Sequence, residues 1–381
     1  MPKKEITNHT SNHYEPMKYW MLLFLILPLV GITYIGFRTW RLLPFAATGK
    51  LVVLAIMVAC MACFFLQFSG LDRLSIPVAT TVYKIGNSTL FILLYLVMVY
   101  LIIDLLRIIH AVPPQWMVSN GRTSLAIFIG MTLLFTYAYR HYMNKTRVPM
   151  QIETSKPLER PLKIVLLADL HLGYHNDKTE LQRWVGLINA EHPDLVLIAG
   201  DIIDNSVKPL FAARMQDELR HISAPVYACF GNHEYYSGNR PAHDFYQAAG
   251  INLLNDSVAT KYGINIVGRD DFSSPHREKL SEIMKNADKE LFTIVLDHEP
   301  YHLEEAQQNG IDFQFSGHTH YGQVWPLSWI EDALYEDAFG PLKKGNTQYY
   351  VTSGMGIWGA KFRIGTRSEY VVLDLIPQKE I

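Results

Sequence analysis

The stretch 315-FSGHTHYGQVWP-326 ends an apolar run with a glycine and two histidines that lie one residue apart. Two imidazoles at positions i and i+2 can converge on one point only where the chain turns sharply. Ordinary core packing has no need of such a turn, whereas a metal ion does, because it binds several donors at once. The stretch therefore predicts part of a metal site, and the other ligands are expected elsewhere in the chain.

Four more apolar, β-branched runs end in polar clusters of the same kind. They are KIVLLADLH (163–171), DLVLIAGD (194–201), PVYACFGNHE (225–234) and LFTIVLDHEP (291–300). Near-continuous apolar runs of this length are typical of strands buried on both faces, with crossover helices between them. Sites in such sheets form at the carboxyl ends of the strands, where loops bring distant residues together. The C-terminal half is therefore predicted to be an α/β domain with its site at that edge.

The polar clusters contain Asp, Asn and His but no thiolate. Any one of these histidines alone is more often a surface or hydrogen-bonded residue than a ligand. Five strand ends that each carry Asp, Asn or His beside a glycine or short turn form a joint pattern that favours metal binding. Oxygen and imidazole donors suit two divalent ions such as Mn, Fe or Zn, and one carboxylate can bridge a pair of ions.

These residues resemble the calcineurin-like metallophosphoesterases over about 162–376. The family signature is D-x-H, G-D-x-x-D, G-N-H-E/D, H and G-H-x-H, in that order. The corresponding residues here are Asp169 and His171, Gly200, Asp201 and Asp204, Gly231, Asn232, His233 and Glu234, His298, and Gly317, His318 and His320. The resemblance implies a β-sandwich flanked by helices.

The resemblance also implies a ligand set for each ion. One ion would be bound by Asp169, His171, Asp201 and His320, and the other by Asp201, Asn232, His298 and His318, with Asp201 bridging. Gly317 is expected to let the backbone turn tightly enough to aim both histidines of GHTH.

Catalytic roles are implied for two residues that are not ligands. His233 would stabilise the phosphoryl oxygens or protonate the leaving group, and Asp204 would orient its imidazole. Glu234 is expected to hold its neighbours in place.

Finer features place the chain within the family. GDIIDNS departs from the G-D-x-V-D-R-G of phosphoprotein phosphatases, whereas GHTHYGQVWPL and GMGIWGAKFRIGTRSEYVVLDL look more like the YkuE- and YaeI-type bacterial branch. Related lipid-pathway members cleave the pyrophosphate of UDP-2,3-diacylglucosamine. The resemblance thus implies a phosphoesterase or pyrophosphatase and raises a lipid-linked substrate as one version of it.

The N-terminal half has a different composition. Apolar residues make up 49% of the chain and charged residues only 18%, below the ~25% of soluble domains, and the deficit lies in the first 143 residues. Apolar stretches at about 19–37, 51–69, 88–103 and 123–139 are each near the ~17–25 residues that cross a bilayer as helix. The prediction is a tail with four transmembrane helices over 1–143, a linker over 144–161 and a metallophosphoesterase domain over 162–381.

The distribution of Lys and Arg predicts the orientation of these spans. An even number of crossings places both termini on one side, which carries eight such residues against five on the other. The positive-inside rule then favours a cytoplasmic catalytic domain in a multi-pass protein, and the bacterial branch points to the bacterial inner membrane.

Charge and cysteine content exclude other classes. The net charge of −2 gives no basic field of the kind that nucleic-acid binders carry, and three cysteines cannot form a disulfide framework. Cys60, Cys63 and Cys229 are expected to be small buried hydrophobic residues.

Substrate contacts are less well marked. Arg269 and Arg363 could bind a phosphate as forked donors, although surface ion pairs are at least as expected for them. The aromatic-rich stretch 321–340 follows the last ligand, and it could admit an acyl chain or pack the edge of its own domain.

Three functions remain open at this stage. The first is a membrane-anchored, dinuclear metal-dependent phosphoesterase that acts on a lipid-linked phosphate or pyrophosphate. The second is a membrane-tethered phosphodiesterase with a soluble substrate. The third is a sensor or scaffold without turnover, which the complete ligand set argues against. The oligomeric state is not predicted.

Overall fold

The computed structural model of the chain describes residues 30–378. These residues form two units. One consists of the described residues up to Phe64 together with Thr89–Leu134, and the other of Phe65–Ser88 and everything from Phe135 onwards. The boundary therefore differs from the predicted division at 143 and 162, because the residues around the second helix connection belong with the C-terminal domain.

Four helices lie in the N-terminal part of the described chain. They are α1, described over 30–42, α2 (Ala47–Leu66), α3 (Ile76–Ile108) and α4 (Gly121–Met143). Of these, α2, α3 and α4 are long and apolar enough to cross a membrane. They correspond to three of the four predicted spans. The first predicted span, 19–37, falls mostly outside the described residues.

Helix α3 is much longer than the predicted span of 88–103. Its 33 residues give a length of about 50 Å, whereas the hydrocarbon core of a bilayer is ~30 Å thick. The excess lies mainly before residue 88, where polar and small residues interrupt the apolar run. The first turns of α3 therefore extend beyond any membrane-spanning portion.

The C-terminal unit contains twelve strands among the described residues. They are β1 (Lys145–Thr154), β2 (Leu162–Leu167), β3 (Leu195–Ala199), β4 (Val226–Cys229), β5 (Asn252–Leu253), β6 (Ser257–Lys261), β7 (Ile264–Gly268), β8 (Phe292–Leu296), β9 (Phe313–Ser316), β10 (Gly340–Lys344), β11 (Thr347–Val351) and β12 (Ser368–Pro377). The helices of this part are α5 (Lys178–Ala190), α6 (Lys208–Ala212), α7 (Met215–Leu219), α8 (Asn232–Tyr236), α9 (Asn239–Ala249), α10 (Leu280–Ile283), α11 (Leu303–Gln308) and α12 (Ser328–Leu334).

The strands form two six-stranded sheets. The first has the order β1-β12-β2-β3-β4-β5 and the second β10-β11-β9-β8-β7-β6. Strands β2, β3 and β4 are mutually parallel, as are β7, β8 and β9, while β12 runs antiparallel to β2. The five strands predicted from the apolar runs are all present, and the α/β class with a sandwich of sheets is confirmed.

Alternation along the buried strands builds a layered core. In β2, Ile164 and Leu166 face the space between the sheets, where they join residues of β8 and β9. Val165 and Leu167 face the other way and pack under α5, α7 and α9. The second sheet packs α10 and α11 against its outer face. Because both faces of these strands are covered, their sequences are apolar without interruption.

The predicted linker over 144–161 is wrong for most of its length. Lys145–Thr154 is strand β1, which pairs in parallel with β12 at the edge of the first sheet. Val148, Met150 and Ile152 alternate toward the inter-sheet core. Pro149 can lie within this strand because an edge strand leaves one row of backbone groups unpaired. The period-2 pattern was present in the sequence but was hidden among polar residues.

Candidate metal centre

All seven predicted ligands lie just beyond the carboxyl ends of buried strands. Asp169 and His171 follow β2, Asp201 follows β3, Asn232 begins α8 after β4, His298 follows β8, and His318 and His320 follow β9. Carboxyl ends of parallel strands meet at one edge of a sheet, and here the corresponding edges of both sheets contribute. The structure thus brings together residues spread over 152 positions, from 169 to 320.

The first group of donors surrounds the imidazole of His171. Its Nε2 atom lies 3.0 Å from Nε2 of His320, 3.5 Å from Oδ2 of Asp201 and 3.8 Å from Oδ1 of Asp169. His320 Nε2 is in turn 3.7 Å from Asp169 Oδ1. Donors that bind one ion at about 2.1 Å lie roughly 3.0–4.2 Å apart, depending on the angle between their bonds, so these spacings fit a shared cation.

The second group surrounds the imidazole of His298. Its Nε2 atom lies 3.2 Å from Oδ2 of Asp201 and 3.1 Å from Oδ1 of Asn232. The same Asn232 oxygen is 3.2 Å from Nδ1 of His318. Asp201 Oδ2 thus faces both groups, which is the position expected of a bridging carboxylate.

The chemistry of the second group calls for positive charge. His298 uses Nδ1 to donate to the carbonyl of Ala199 at 2.8 Å, so a neutral ring turns the lone pair of Nε2 toward two oxygen acceptors. Such an arrangement is repulsive unless a proton or a cation intervenes. Buried Asp169 and Asp201 add two carboxylates to the same space. Hard oxygen and imidazole donors of this kind fit divalent Mn, Fe or Zn.

The backbone at the ligands is unusual. Left-handed φ angles occur at five of the seven ligands, namely Asp169 (57°), His171 (43°), Asp201 (53°), His318 (72°) and His320 (48°). Side chains with a Cβ adopt this region infrequently, and such conformations cluster at functional sites. The loops are therefore shaped to aim donors inward at a conformational cost.

The role expected of Gly317 requires correction. The left-handed turn positions fall on His318 and His320, not on the glycine. Gly317 instead permits close approach, since a Cβ there would lie 2.5 Å from Asp169 Oδ2 and 2.6 Å from Ala168 Cβ. A Cβ on Gly231 would similarly lie 2.3 Å from Asp201 Oδ1. Both glycines bring one ligand loop into contact with another.

Glu234 ties two ligand loops together. Its Oε2 atom accepts from the backbone N–H groups of Asp201 at 3.0 Å and Gly231 at 2.8 Å, and Oε1 accepts from Ile203 at 2.9 Å. Burial, together with the charge of Asp201, raises the pKa of Glu234 to about 7. The expectation that Glu234 steers its neighbours agrees with these contacts.

His233 lies beside the first donor group. Its Nδ1 atom donates to the backbone carbonyl of Asp204 at 2.7 Å and is 3.5 Å from the Asp204 carboxylate. Burial alone would lower the pKa of His233, but Asp201 and Asp204 outweigh it and raise the pKa to about 9. Two bound cations would act in the opposite direction. The ring is thus held in one orientation by Asp204, mainly through its backbone.

Asp204 serves a second imidazole as well. Its Oδ1 atom lies 3.4 Å from Nδ1 of His171, whose Nε2 faces the first donor group. Burial would raise the pKa of Asp204, but the neighbouring imidazoles of His171 and His233 outweigh it and lower the pKa. This contact orients a ligand, and the motif spacing alone did not predict it.

Arg269 and Arg363 lie inside the domain. Arg269 is 4% exposed and pairs with Asp297 at 3.0 Å and Glu305 at 2.9 Å. Arg363 is 0% exposed and donates to the carbonyls of His320 at 2.7 Å and Gly356 at 3.3 Å. Both guanidiniums are engaged by protein acceptors, so we do not retain either as a phosphate contact. Arg363 instead stabilises the loop that presents His320.

Sequence reasoning missed Asn176, which is fully buried behind the first ligand loop. Its Nδ2 atom donates to the carbonyls of Leu170 and His171 at 3.0 Å, and its Oδ1 accepts from Tyr142 at 3.0 Å. An isolated Asn in a loop carries no periodic signal. Only its place five residues after a predicted ligand could have drawn attention to it.

The comparisons with known proteins agree with this geometry. The family model for calcineurin-like phosphoesterases matches residues 162–322. An uncharacterized metallophosphoesterase of Helicobacter pylori (strain ATCC 700392 / 26695) is 30% identical over 274 residues, covering 68% of this chain and 74% of the relative. The chain belongs to the calcineurin-like phosphoesterases, which are metal-dependent phosphoester hydrolases with a dinuclear centre of divalent ions.

Two further relatives are matched over shorter shares of their length. A metallophosphoesterase of Helicobacter pylori (strain J99 / ATCC 700824) is 32% identical over 58% of this chain and 62% of the relative. A transmembrane protein with metallophosphoesterase domain from Danio rerio is 30% identical over 66% of this chain and 62% of the relative. The chain spans less than two thirds of both relatives. The assignment to the YkuE- and YaeI-type branch stays a prediction.

The close approach at Gly317 yields a test. In Gly317→Ala, the new methyl group must displace Asp169, and we expect metal affinity to weaken by about 10–100-fold, as for other changes that move a ligand. Metal titration of the detergent-solubilised protein measures this.

The matched control is Gly186→Ala in α5, where a Cβ would meet nothing within 4 Å. This variant is expected to keep its metal and to gain about 0.5–1 kcal/mol of stability from helix propensity. Unchanged metal affinity in Gly317→Ala would refute the packing argument.

Proposed function

We propose that this protein is a membrane-anchored, dinuclear metal-dependent phosphoesterase that hydrolyses a lipid-linked phosphate ester or pyrophosphate. The observation that carries the phosphoesterase part is the pair of donor groups that share Asp201 Oδ2. The lipid-linked part is supported by the candidate membrane helices and by the surface beside the site.

The residues of the site have different roles in the proposed reaction. Two divalent ions held by the seven ligands would neutralise the phosphoryl charge and activate a water nucleophile. His233 is fixed by Asp204 close to the first donor group, where its other ring nitrogen can stabilise the phosphoryl oxygens or donate a proton to the leaving group. Glu234 and Arg363 hold the ligand loops in position through hydrogen bonds with backbone groups.

An aromatic rim adjoins the second donor group. The ring of Tyr335 lies 6.3 Å from that of ligand His318 and 4.9 Å from that of Tyr301, which in turn lies 5.7 Å from Phe272. On neighbouring α12, Trp329, Ile330 and Leu334 are 64%, 54% and 66% exposed. Exposed apolar side chains grouped beside a site are typical of surfaces that contact lipid or another apolar ligand.

This rim supports a lipid substrate over a soluble one. The side chains on α12 that could have packed the edge of their own domain remain exposed, so that alternative does not explain them. An acyl chain that lies on the rim would place a polar headgroup toward the donor groups. A membrane anchor also raises the local concentration of a substrate that stays in the bilayer.

The sidedness of the catalytic domain belongs to the proposal. Eight Lys and Arg residues against five favour a cytoplasmic domain in a bacterial inner membrane. Arg73 and Lys84, counted on the catalytic side, lie in the same unit as the catalytic domain.

Catalysis by His233 gives the first prediction. His233→Asn should keep the metal but lower kcat by about 10²–10⁴-fold, the usual contribution of a general acid or base. Turnover of nitrophenyl phosphate mono- and diesters with added Mn²⁺, together with metal analysis, measures this. The control His302→Asn alters an exposed imidazole and should match wild type. Wild-type turnover in His233→Asn would instead favour a domain that binds without hydrolysis.

The aromatic rim and the exposed residues of α12 beside it give the second prediction. Trp329→Ser combined with Leu334→Ser should lower kcat/KM for a long-chain lipid phosphate by about tenfold or more, because burial of one large apolar side chain contributes about 1.5–3 kcal/mol. Turnover of a nitrophenyl phosphodiester should not change. Leu187→Ser on α5 is the control, since it removes a partly exposed leucine elsewhere. Equal kcat/KM values for the long-chain lipid phosphate and the nitrophenyl phosphodiester in wild type, the double variant and the Leu187→Ser control would exclude the lipid substrate.

Sidedness gives the third prediction. A C-terminal tag should be digested by protease in inverted inner-membrane vesicles and protected in intact spheroplasts, because the positive-inside rule places the C-terminus in the cytoplasm. Digestion of the tag in spheroplasts but not in inverted vesicles would show that the C-terminus lies on the opposite side of the membrane.

A further inference from the structure

The last two turns of helix α4 belong to the same unit as the catalytic domain. That unit includes everything from Phe135 onwards, although α4 as a whole is a candidate membrane span. Ala138 and Tyr142 lie four residues apart, on one face of the helix, and both are fully buried. Strand β1 begins at Lys145, directly after the helix. The end of α4 is therefore packed into the domain that carries the metal centre.

The hydroxyl of Tyr142 contacts two buried side chains. It lies 3.0 Å from Oδ1 of Asn176 and 2.5 Å from Oε1 of Glu180, and these acceptors share its single hydrogen. Glu180 also has cationic neighbours, since it pairs with Lys361 and lies 3.8 Å from Nζ of Lys145. For Asn176 Oδ1, Tyr142 is the one donor within reach among the described residues. Asn176 therefore depends on this hydroxyl more than Glu180 does.

Asn176 connects Tyr142 to a metal ligand. Three carbonyl oxygens surround its Nδ2 atom, those of Leu170 and His171 at 3.0 Å and that of Ile357 at 3.2 Å. These acceptors fix which way the amide faces, with Oδ1 toward Tyr142. His171 has a left-handed φ of 43°, a conformation that persists only where surrounding contacts hold it. A rotation of the Asn176 amide would therefore loosen the loop that presents His171.

A second contact of the same helix end reaches the same donor group. The carbonyl of Ala138 accepts from the backbone N–H of Arg363 at 3.1 Å. The side chain of Arg363 donates to the carbonyl of His320 at 2.7 Å. His320 and His171 are ligands of the first donor group, where their Nε2 atoms lie 3.0 Å apart. Two separate contacts of α4 thus support two ligands of one ion.

We propose that Tyr142 of helix α4 is a positioning residue, whose hydrogen bond to Asn176 holds His171 in place for the first ion. Within the described residues, α4 makes no hydrogen bond or ion pair with the ligands that belong to the second group alone, namely Asn232, His298 and His318. The effect is therefore specific to one of the two ions. The inference rests on the dinuclear centre of the proposed function, and it makes the end of a candidate membrane helix part of one metal site.

The test is Tyr142→Phe, which removes one hydroxyl and keeps the ring that Nζ of Lys145 contacts at 3.5 Å from its centroid. Titration of the detergent-solubilised full chain with Mn²⁺, in which the EPR signal counts the free ion, gives a Kd for each ion. One Kd should rise roughly 3–10-fold, the size expected for one neutral hydrogen bond, and the other less than about twofold. Asn176→Ala should raise the same Kd by about 10–100-fold, as for other partners that orient a ligand.

Two backgrounds with a single intact donor group identify the ion. His298→Ala disrupts the second group, and there Tyr142→Phe should weaken the remaining ion by the same factor. His320→Ala disrupts the first group, and there Tyr142→Phe should have no effect. Added to Asn176→Ala, Tyr142→Phe should cause no further loss, since residues that act through one another are not additive.

The matched control is Tyr349→Phe in strand β11. It removes another buried hydroxyl, which donates to the carbonyl of Leu303 at 2.7 Å, and it should keep both Kd values. Equal weakening of both ions by Tyr142→Phe, a loss that persists in the His320→Ala background, or Kd values equal to those of Tyr349→Phe would overturn the inference.

The outcome also separates this inference from the function on which it rests. If wild type binds fewer than two Mn²⁺ ions, both the dinuclear centre of the proposed function and the positioning role fail. If wild type binds two ions and Tyr142→Phe selectively weakens one, but no phosphoester is hydrolysed, only the proposed function fails. If wild type binds two ions and hydrolyses a nitrophenyl phosphodiester, but Tyr142→Phe matches Tyr349→Phe, only the positioning role fails.

Discussion

The burial of two carboxylates at one point is the constraint on which the site depends. Asp169 and Asp201 are 0% and 2% exposed and lie among imidazoles that present lone pairs. Removal of a charged group from water costs several kcal/mol unless opposite charge compensates it. A pair of divalent cations would supply that compensation for both carboxylates, and Asp201 Oδ2 lies next to both donor groups. Metal binding and folding of these loops are therefore linked.

The backbone around the ligands follows from the same constraint. Left-handed conformations at non-glycine residues each cost of order 1–3 kcal/mol, and five ligands adopt them. Sheets on both sides and Glu234, Asn176 and Arg363 hold the loops in these conformations through hydrogen bonds to backbone groups. Gly231 and Gly317 leave the space that lets neighbouring loops touch. These hydrogen bonds and close approaches thus help to hold the donors in place.

Much of the fold and site could be predicted from the sequence, because each ligand directly follows an apolar run that can only be a buried strand. The order of those runs and the spacing within each cluster of donors then indicated the family. Strand β1 was missed because polar residues and Pro149 obscure its alternation. The burial of Arg363 was missed for another reason. It depends on contacts between distant loops, and no local pattern reports them.

The connection between α2 and α3 packs against the catalytic domain through Asp72 and belongs to the same unit. Everything nevertheless rests on the dinuclear centre. Its most direct test is an anomalous-difference map from crystals of the full chain grown with Mn²⁺. We predict two peaks about 3.5–4 Å apart on either side of Asp201 Oδ2. A single peak, or none at this position, would contradict the dinuclear centre.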